Sequence, residues 1–380
     1  MIPYGRQHIT DEDIAAVIET LQSDFLTQGP KIAEFEHAFA EYVGSTYAVA
    51  VNNGTAALHL GVLALGLQPH QKVITTPITF AASANCIQYC GAQVLFVDID
   101  PTTYLIDTAQ VEALCQTQSD VVGIIPVDFA GYPVHMEQLQ TVAEKYGLWI
   151  LEDACHAPGA WFIDSCGNKQ FCGNGTYSNA TVFSFHPVKH IATGEGGMIT
   201  TNSKQVYEKL CMLRTHGITR NPEIMVENHG PWYYEMQELG YNYRITDFQC
   251  ALGLSQLKRA NNGLTLRNQI AEKYNKAFAH TCIQTPKVAD SVYHAYHLYV
   301  IQVPNRMELY TYLRSKEIFT QVHYIPVHTM PYYKAQGYKH GDFPVAEAYY
   351  NHCLSLPMYP SLTNEQQEFV IQTILEFYNT

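Results

Sequence analysis

Thr181-Val182-Phe183-Ser184-Phe185-His186-Pro187-Val188-Lys189-His190 is the stretch on which the fold turns. It starts as an apolar strand and leaves it through a proline to a lysine. The glycine-rich Thr193-Gly194-Glu195-Gly196-Gly197 and a second apolar strand follow. Glycines there let backbone approach something bulky, such as a flat cofactor. A lysine enclosed by apolar strand is desolvated, which favours the neutral amine that attacks a carbonyl. Taken alone such a lysine is an ordinary surface charge, so its surroundings decide its meaning.

Outward from this stretch, strand-like and helix-like segments alternate between about residues 47 and 201. Strands are expected at 47–51, 72–76, 94–98, 121–127, 148–151, 181–185 and 197–201. Helices are expected at 55–65, 80–89, 108–116 and 136–145. The alternation predicts an α/β fold, a largely parallel sheet covered by helices. After residue 203 the texture changes. A helix at 204–214 precedes an irregular aromatic loop at 221–240 and one long helix at 245–260. Beyond 264 come a helix, a strand at 297–303, a helix at 306–315, a strand near 320–325 and two late helices. A large domain over 1–260 and a smaller C-terminal α+β domain over 261–380 are the expected division, with segment 1–30 near the substrate site.

The 380 residues, 47% of them hydrophobic, are enough for two cored domains. Twenty-two basic against 35 acidic residues give a net charge of −13 with no basic tract, so neither nucleic acid nor an anionic membrane is an expected partner. A charged fraction of only 15% together with 27 tyrosines points to interfacial surface, hence an oligomer. The ten cysteines form no CxxC pair and read as reduced core thiols, with Cys166 and Cys172 the one pair to weigh as a zinc or disulfide site. The opening residues lack the apolar core of a signal peptide, and no apolar run reaches spanning length, so a cytoplasmic protein is expected.

In open α/β sheets ligands sit beyond the carboxyl ends of strands. Asn52-Asn53-Gly54-Thr55-Ala56-Ala57 is a strand-to-helix turn, equally an ordinary helix cap or a phosphate cradle formed by helix-opening amides. Glu152-Asp153-Ala154-Cys155-His156 ends a strand in acid. Alternation points the two carboxylates oppositely and leaves Asp153 facing the cleft, where it suits a protonated ring nitrogen. A helix cap, or a metal ligand with His156, is the other reading. No second ligand cluster accompanies it, so no metal is expected. Phe80 is an aromatic at a third strand end, either core or a stacking face. Phosphate cradle, stacking face, ring acid and reactive lysine together match pyridoxal phosphate.

Asn53-Gly54-Thr55-Ala56-Ala57-Leu58, Glu152-Asp153-Ala154-Cys155-His156-Ala157, Phe183 to Lys189, Thr193 to Gly197 and Gly240-Tyr241-Asn242-Tyr243-Arg244 run in one order across nearly the whole chain. In these stretches the sequence resembles the DegT/DnrJ/EryC1/StrS sugar aminotransferases, enzymes of fold type I. The resemblance implies that Lys189 bonds the cofactor and Asp153 pairs with its pyridine nitrogen. It implies that His156 lies at the ring's hydroxyl side and Phe80 against the ring. Gly54, Thr55, Ala56 and Ser184 would hold the phosphate. Asn242 would reach a phosphate in the partner subunit, so the sites of a homodimer would be shared. The implied reaction moves an amino group from L-glutamate, leaving 2-oxoglutarate, to C4 of a nucleotide-linked 4-keto-6-deoxy sugar.

Asp24 to Pro30, His323 to His328 and Pro331-Tyr332-Tyr333 resemble one branch, the 4-aminotransferases of pseudaminic acid biosynthesis that act on UDP-4-keto-6-deoxy-N-acetyl-altrosamine. Tyr4, Thr27, Gln28, His186, Arg244, Tyr324 and His328 are the residues this implies at the sugar. The stretch Asp164–Asn179 is longer and richer in Cys and Asn than that pattern, with a surface hairpin as its plain reading. Another dTDP- or GDP-linked keto-sugar of the perosamine type is the alternative substrate. A sugar dehydratase would carry histidine in place of Lys189, and a silent binding protein would have lost part of the constellation.

Overall fold

The structure is a computed structural model that describes residues 1–379. Its centre is a seven-stranded sheet in the order Tyr47–Val51, Gly197–Thr201, Ala180–Ser184, Trp149–Asp153, Val121–Ile125, Lys72–Thr75 and Gln93–Phe96. Every neighbouring pair is parallel except the two made by Gly197–Thr201, which runs antiparallel to both of its partners. The sheet is therefore α/β and mainly parallel, as expected from the alternation. Its strands are near-continuous apolar runs because helices cover both faces.

The helix Gly54–Ala64 shows why the sheet holds its shape. Ala57, Leu58, Leu60 and Val62 are all fully buried, so the helix is apolar on nearly every side. It packs on the strands Ala180–Ser184 and Gly197–Thr201 and against the helices Ala82–Tyr89 and Lys204–Arg214. Gly61 lets it sit close, since a Cβ there would lie 2.9 Å from the Leu151 side chain. Burial of this helix fixes the position of its first turn, which opens onto the candidate site.

The C-terminal part has its own core. Tyr274, Phe278, Leu309, Leu313, Leu354, Val370 and Ile374 are buried together. They come from the helices Ala260–Phe278, Arg306–Ser315 and Asn364–Asn379 and from the antiparallel pair Tyr299–Gln302 and Cys353–Leu356. Ile2 joins this core, and Ile2–Pro3 forms a parallel pair with Ile318–Phe319. The opening residues thus pair with the C-terminal part, although they were grouped with the large domain.

Two expected elements shift. The helix expected over 245–260 is Asp247–Leu257, and the helix expected from 264 begins earlier, as Ala260–Phe278. Arg259 leaves helical geometry between them, and its guanidinium reaches the His8 carbonyl at 2.6 Å and the buried carboxylate of Asp13. The strand near 320–325 is only Ile318–Phe319. Beyond it Gln321 makes an isolated bridge to Ser355 and His323 Nδ1 bonds Ser355 Oγ at 2.8 Å, so the segment is extended without a ladder. The stretch 164–179 includes the turn and second strand of a hairpin, Trp161–Ile163 with Lys169–Phe171, to which Val292–Tyr293 adds a third strand. All ten cysteines are free, Cys166 exposed and Cys172 buried.

Candidate active site

The carboxyl ends of Trp149–Asp153 and Ala180–Ser184 and the first turn of Gly54–Ala64 open onto one cavity of about 700 Å³. That volume suits a cofactor with a substrate beside it. Among the residues read from the sequence, Tyr4, Gly54, Thr55, Ala56, Phe80, Asp153, His156, Ser184, His186, Lys189 and Tyr324 line it.

Asp153 and Glu152 are both buried and face opposite sides of their strand. Asp153 lines the cavity. Its Oδ2 accepts from Ser83 Oγ at 2.7 Å and its Oδ1 from the Cys155 amide at 3.2 Å. An ionised carboxylate has about four acceptor positions, so capacity remains for a donor in the cavity. Glu152 turns away, and its Oε2 accepts from Thr181 Oγ1 at 2.7 Å and the Gly173 amide at 3.2 Å.

Lys189 follows the turn after Ser184, its amide donating to the His186 carbonyl. Burial lowers its amine to about 8, with Arg267 adding to the effect and Cys155 and Asp153 opposing it. Roughly a tenth of the amine is therefore neutral at pH 7, far more than for an ordinary lysine, as a nucleophilic or proton-accepting amine requires.

At the other end of the cavity Asn53 caps the helix. Its Oδ1 accepts from the Ala56 amide at 2.8 Å, and its carbonyl accepts from Ala57. The Ala56 N–H is therefore already committed, which leaves the amides of Gly54 and Thr55 as the helix-opening donors. A Cβ on Gly54 would stand 3.0 Å from Ser184 Cβ and 3.2 Å from Ser184 Oγ. The missing side chain thus keeps a gap between the helix end and Ser184, which suits a phosphate.

His156 forms the middle of the cavity wall. Its Nδ1 accepts from the amide of Ala130 at 3.3 Å, a residue in the left-handed conformation, φ 59°. Burial and the neighbouring Lys189 charge hold His156 well below its ordinary range, so the ring is neutral. The hydrogen is then on Nε2, which meets Tyr324 OH at 3.2 Å. Phe80 lies in the turn before Ala82–Tyr89, is 61% exposed, and packs 6.3 Å from the Tyr324 ring.

Five residues read from the sequence lie outside the cavity. Thr27 and Gln28 are exposed, in a turn bridged to Thr246. Asn242 is exposed and bridged to Thr215, and Arg244 is half-buried two residues on. His328 is a correction. It is fully buried, packs 4.8 Å from the Phe343 ring, and bonds Glu347 Oε1 through Nε2 at 2.9 Å. It supports the 3₁₀ turn Val327–Thr329 and does not face the cavity. The structure adds Thr79, Ser83, Cys155, Glu195, Tyr243, His297 and His323 to the lining. Ser83 had one local sign, its spacing of four from Thr79 at a helix start, and their hydroxyls meet at 2.7 Å. His297 had none, whereas His323 opens the stretch His323 to His328 that the branch resemblance had already picked out.

A depressed lysine amine, a carboxylate with free acceptor capacity and a side-chain-free helix end share one cavity. That set fits pyridoxal phosphate, and it defines a cofactor-dependent group-transfer site of the aminotransferase type. Residues 7–375 match the sequence profile of the DegT/DnrJ/EryC1/StrS aminotransferase family, and the chain belongs to that family of pyridoxal-phosphate enzymes. It is 42% identical to the spore coat polysaccharide biosynthesis protein SpsC of Bacillus subtilis, with 98% of this chain and 96% of that protein aligned. It is 37% identical to the UDP-4-amino-4,6-dideoxy-N-acetyl-beta-L-altrosamine transaminase of Campylobacter jejuni, again with 98% and 96% aligned. Among solved structures, Helicobacter pylori PseC, an aminotransferase of pseudoaminic acid biosynthesis, superposes with a TM-score of 0.91 at 29% identity, covering 100% of this chain and 99% of that one. Among the described residues no helix is long and apolar enough to cross a membrane.

Proposed function

We propose that this sugar aminotransferase moves the amino group of L-glutamate to C4 of a nucleotide-linked 4-keto-6-deoxy sugar, with UDP-4-keto-6-deoxy-N-acetyl-altrosamine as the substrate. The observation that carries the chemistry is the shared cavity of Lys189 and Asp153. The choice of sugar is supported by the likeness to the Campylobacter transaminase and to PseC.

Pyridoxal phosphate supplies an aldehyde that carries the amino group and a ring that withdraws electrons. Asp153 is the residue to hold its ring nitrogen protonated, with Ser83 and the Cys155 amide keeping the carboxylate aimed. Gly54, Thr55 and Ser184 are the residues to hold the phosphate, and His156 and Phe80 to flank the ring. Lys189 Nζ would take the proton from the α-carbon of glutamate and deliver it to the cofactor's former aldehyde carbon, and in the acceptor half would carry a proton from that carbon to C4 of the sugar. An amine near 8 suits both directions. Tyr4, His186 and Tyr324 stand at the cavity for the sugar. We also propose a cytoplasmic homodimer in which Asn242 completes the partner's phosphate site, since Asn242 is exposed and outside its own cavity.

Two measurements test this. Glutamate added to the cofactor-loaded protein should bleach its visible band, and an unchanged spectrum would end the aminotransferase reading for this substrate. A panel of UDP-, dTDP- and GDP-linked 4-keto-sugars with glutamate then reads the acceptor. Turnover of only a dTDP- or GDP-linked sugar would replace the UDP assignment.

A further inference from the structure

His297 precedes the strand Tyr299–Gln302, and its ring meets the end of Lys189. Nε2 of His297 lies 3.4 Å from Nζ of Lys189. The ring is buried, with its centroid 4.4 Å from that of His156 and 5.8 Å from that of His190. Its backbone is held as well: the buried Arg267 donates through Nη1 to the carbonyls of Tyr296 at 3.0 Å and His297 at 3.4 Å, and to that of Met358 at 2.9 Å. Nδ1 of His297 is buried without a partner among the described residues. The ring's polar contact is therefore made through Nε2, and it is made to Lys189.

We propose that His297 is a positioning residue for Lys189, whose Nε2 accepts a hydrogen bond from Nζ and docks the amine while it is not bonded to cofactor. The proposal rests on Lys189 being the reactive amine. A free lysine side chain has several torsions to order before it can react, and one fixed acceptor restricts them. The charged and titratable groups around Nζ are Asp153, Cys155, His156, His190, His323 and Arg267. A carboxylate in the place of His297 would hold the amine as ammonium. A neutral imidazole offers a lone pair and no charge, so it orders the amine and favours the ammonium only slightly. Burial, reinforced by the Lys189 charge, keeps His297 neutral.

The test uses cofactor-free full-length protein, wild type, His297→Leu and His297→Asn, mixed with pyridoxal 5′-phosphate in a stopped-flow instrument at pH values on both sides of about 8. The readouts are the rate of appearance of the visible band and the midpoint of its pH dependence. The leucine variant should lose about tenfold in the high-pH plateau rate, about 1.4 kcal/mol. Its midpoint should move to lower pH, because the ammonium loses an acceptor. Asparagine presents an acceptor oxygen and should recover most of both. A leucine variant that matches wild type in plateau and midpoint would overturn the proposal, as would an asparagine variant no better than leucine. Should leucine fail to fold, His297→Ala and His297→Gln are read in the same way. Borohydride trapping with peptide mapping separates the two levels. If wild-type Lys189 is not the trapped residue, the assignment of Lys189 fails. If it is trapped and the leucine variant behaves as wild type, only the docking role fails.

Discussion

Ser83 donates its hydroxyl hydrogen to Asp153 Oδ2 across 2.7 Å. A carboxylate only accepts, so the hydrogen on Ser83 is spent there, and Thr79, 2.7 Å from Ser83 Oγ, must be the donor to Ser83. The relay runs from the start of one helix to the end of a strand and aims the acid at the cavity. Ser83→Ala should lower kcat by about tenfold and leave KM for glutamate nearly unchanged, as loss of a charge-assisted bond of about 1.5 kcal/mol would. Steady-state kinetics decide it; an unchanged kcat would mean that the Cys155 amide alone suffices.

The depressed amine of Lys189 predicts a pH effect on stability. In the cofactor-free protein its value is about 8, against 10.5 for an ordinary lysine. Between those values the unfolded chain binds more protons than the folded one, so stability rises with pH across that window. Lys189→Met lacks this rise. The variant should be the more stable protein at and below pH 8 and should lose its advantage as pH approaches 10.5. Urea unfolding at a series of pH values measures the gap, and a gap that does not narrow would contradict the burial of the amine.

Behind Asp153, Asp128, Glu152 and Cys172 bring ligand atoms within 4.8 Å of one another, all buried. Burial raises Glu152, but its bonds from Thr181, Gly173 and Ser178 oppose that and favour it as the charged member of the pair. Asp128 accepts from Val134 on Oδ1 and has no partner for Oδ2. Burial, then the charge of Glu152, raises it well above 3.8, so it keeps its proton. That proton stabilises the fold fully below the unfolded value of 3.8, and the contribution is lost as pH rises towards the raised folded value. Asp128→Asn should remove this decline and be relatively more stable at pH 7 than at pH 4, by the same unfolding measurement. Equal differences at both would place a charge on Asp128.

His328→Ala tests the reassignment of a residue first read as a sugar contact. It leaves Glu347 short of one buried partner and opens space beside Phe343, at a cost of about 2–4 kcal/mol. Calorimetry should show the loss while KM for the keto-sugar stays near wild type. A raised KM without loss of stability would restore it to the substrate site.

Gly54→Ala puts a methyl group 3.0 Å from Ser184 Cβ. Helix geometry accepts alanine, so the fold should tolerate the change. Cofactor affinity should fall by about tenfold, or 1.4 kcal/mol, by equilibrium dialysis. Unchanged affinity would remove the phosphate from this helix end.

What was legible in the sequence divides along physical lines. The strands and the acid at 153 were legible because burial of both faces of a parallel sheet writes itself as short apolar runs with polar ends. Ala57, Leu58 and Leu60 announced a buried helix in the same way. The break at Arg259 was legible only to within a few residues, since its reason is Asp13, far away in sequence. His297 was illegible for the same reason, and His323 was picked out only as part of the stretch His323 to His328. His328 looked functional within His323-Tyr324-Ile325-Pro326-Val327-His328, and only its partner Glu347 shows otherwise.

Ile2–Pro3 pairs with Ile318–Phe319, and the Tyr4 carbonyl accepts from the Met358 amide at 2.9 Å. The ribosome delivers the first member of each contact more than three hundred residues before the second. Throughout that interval the opening strand has no partner edge, while the central sheet already has all seven strands by residue 201. The wall that carries Tyr4 therefore closes only once Met358 has been made, well after the sheet behind it.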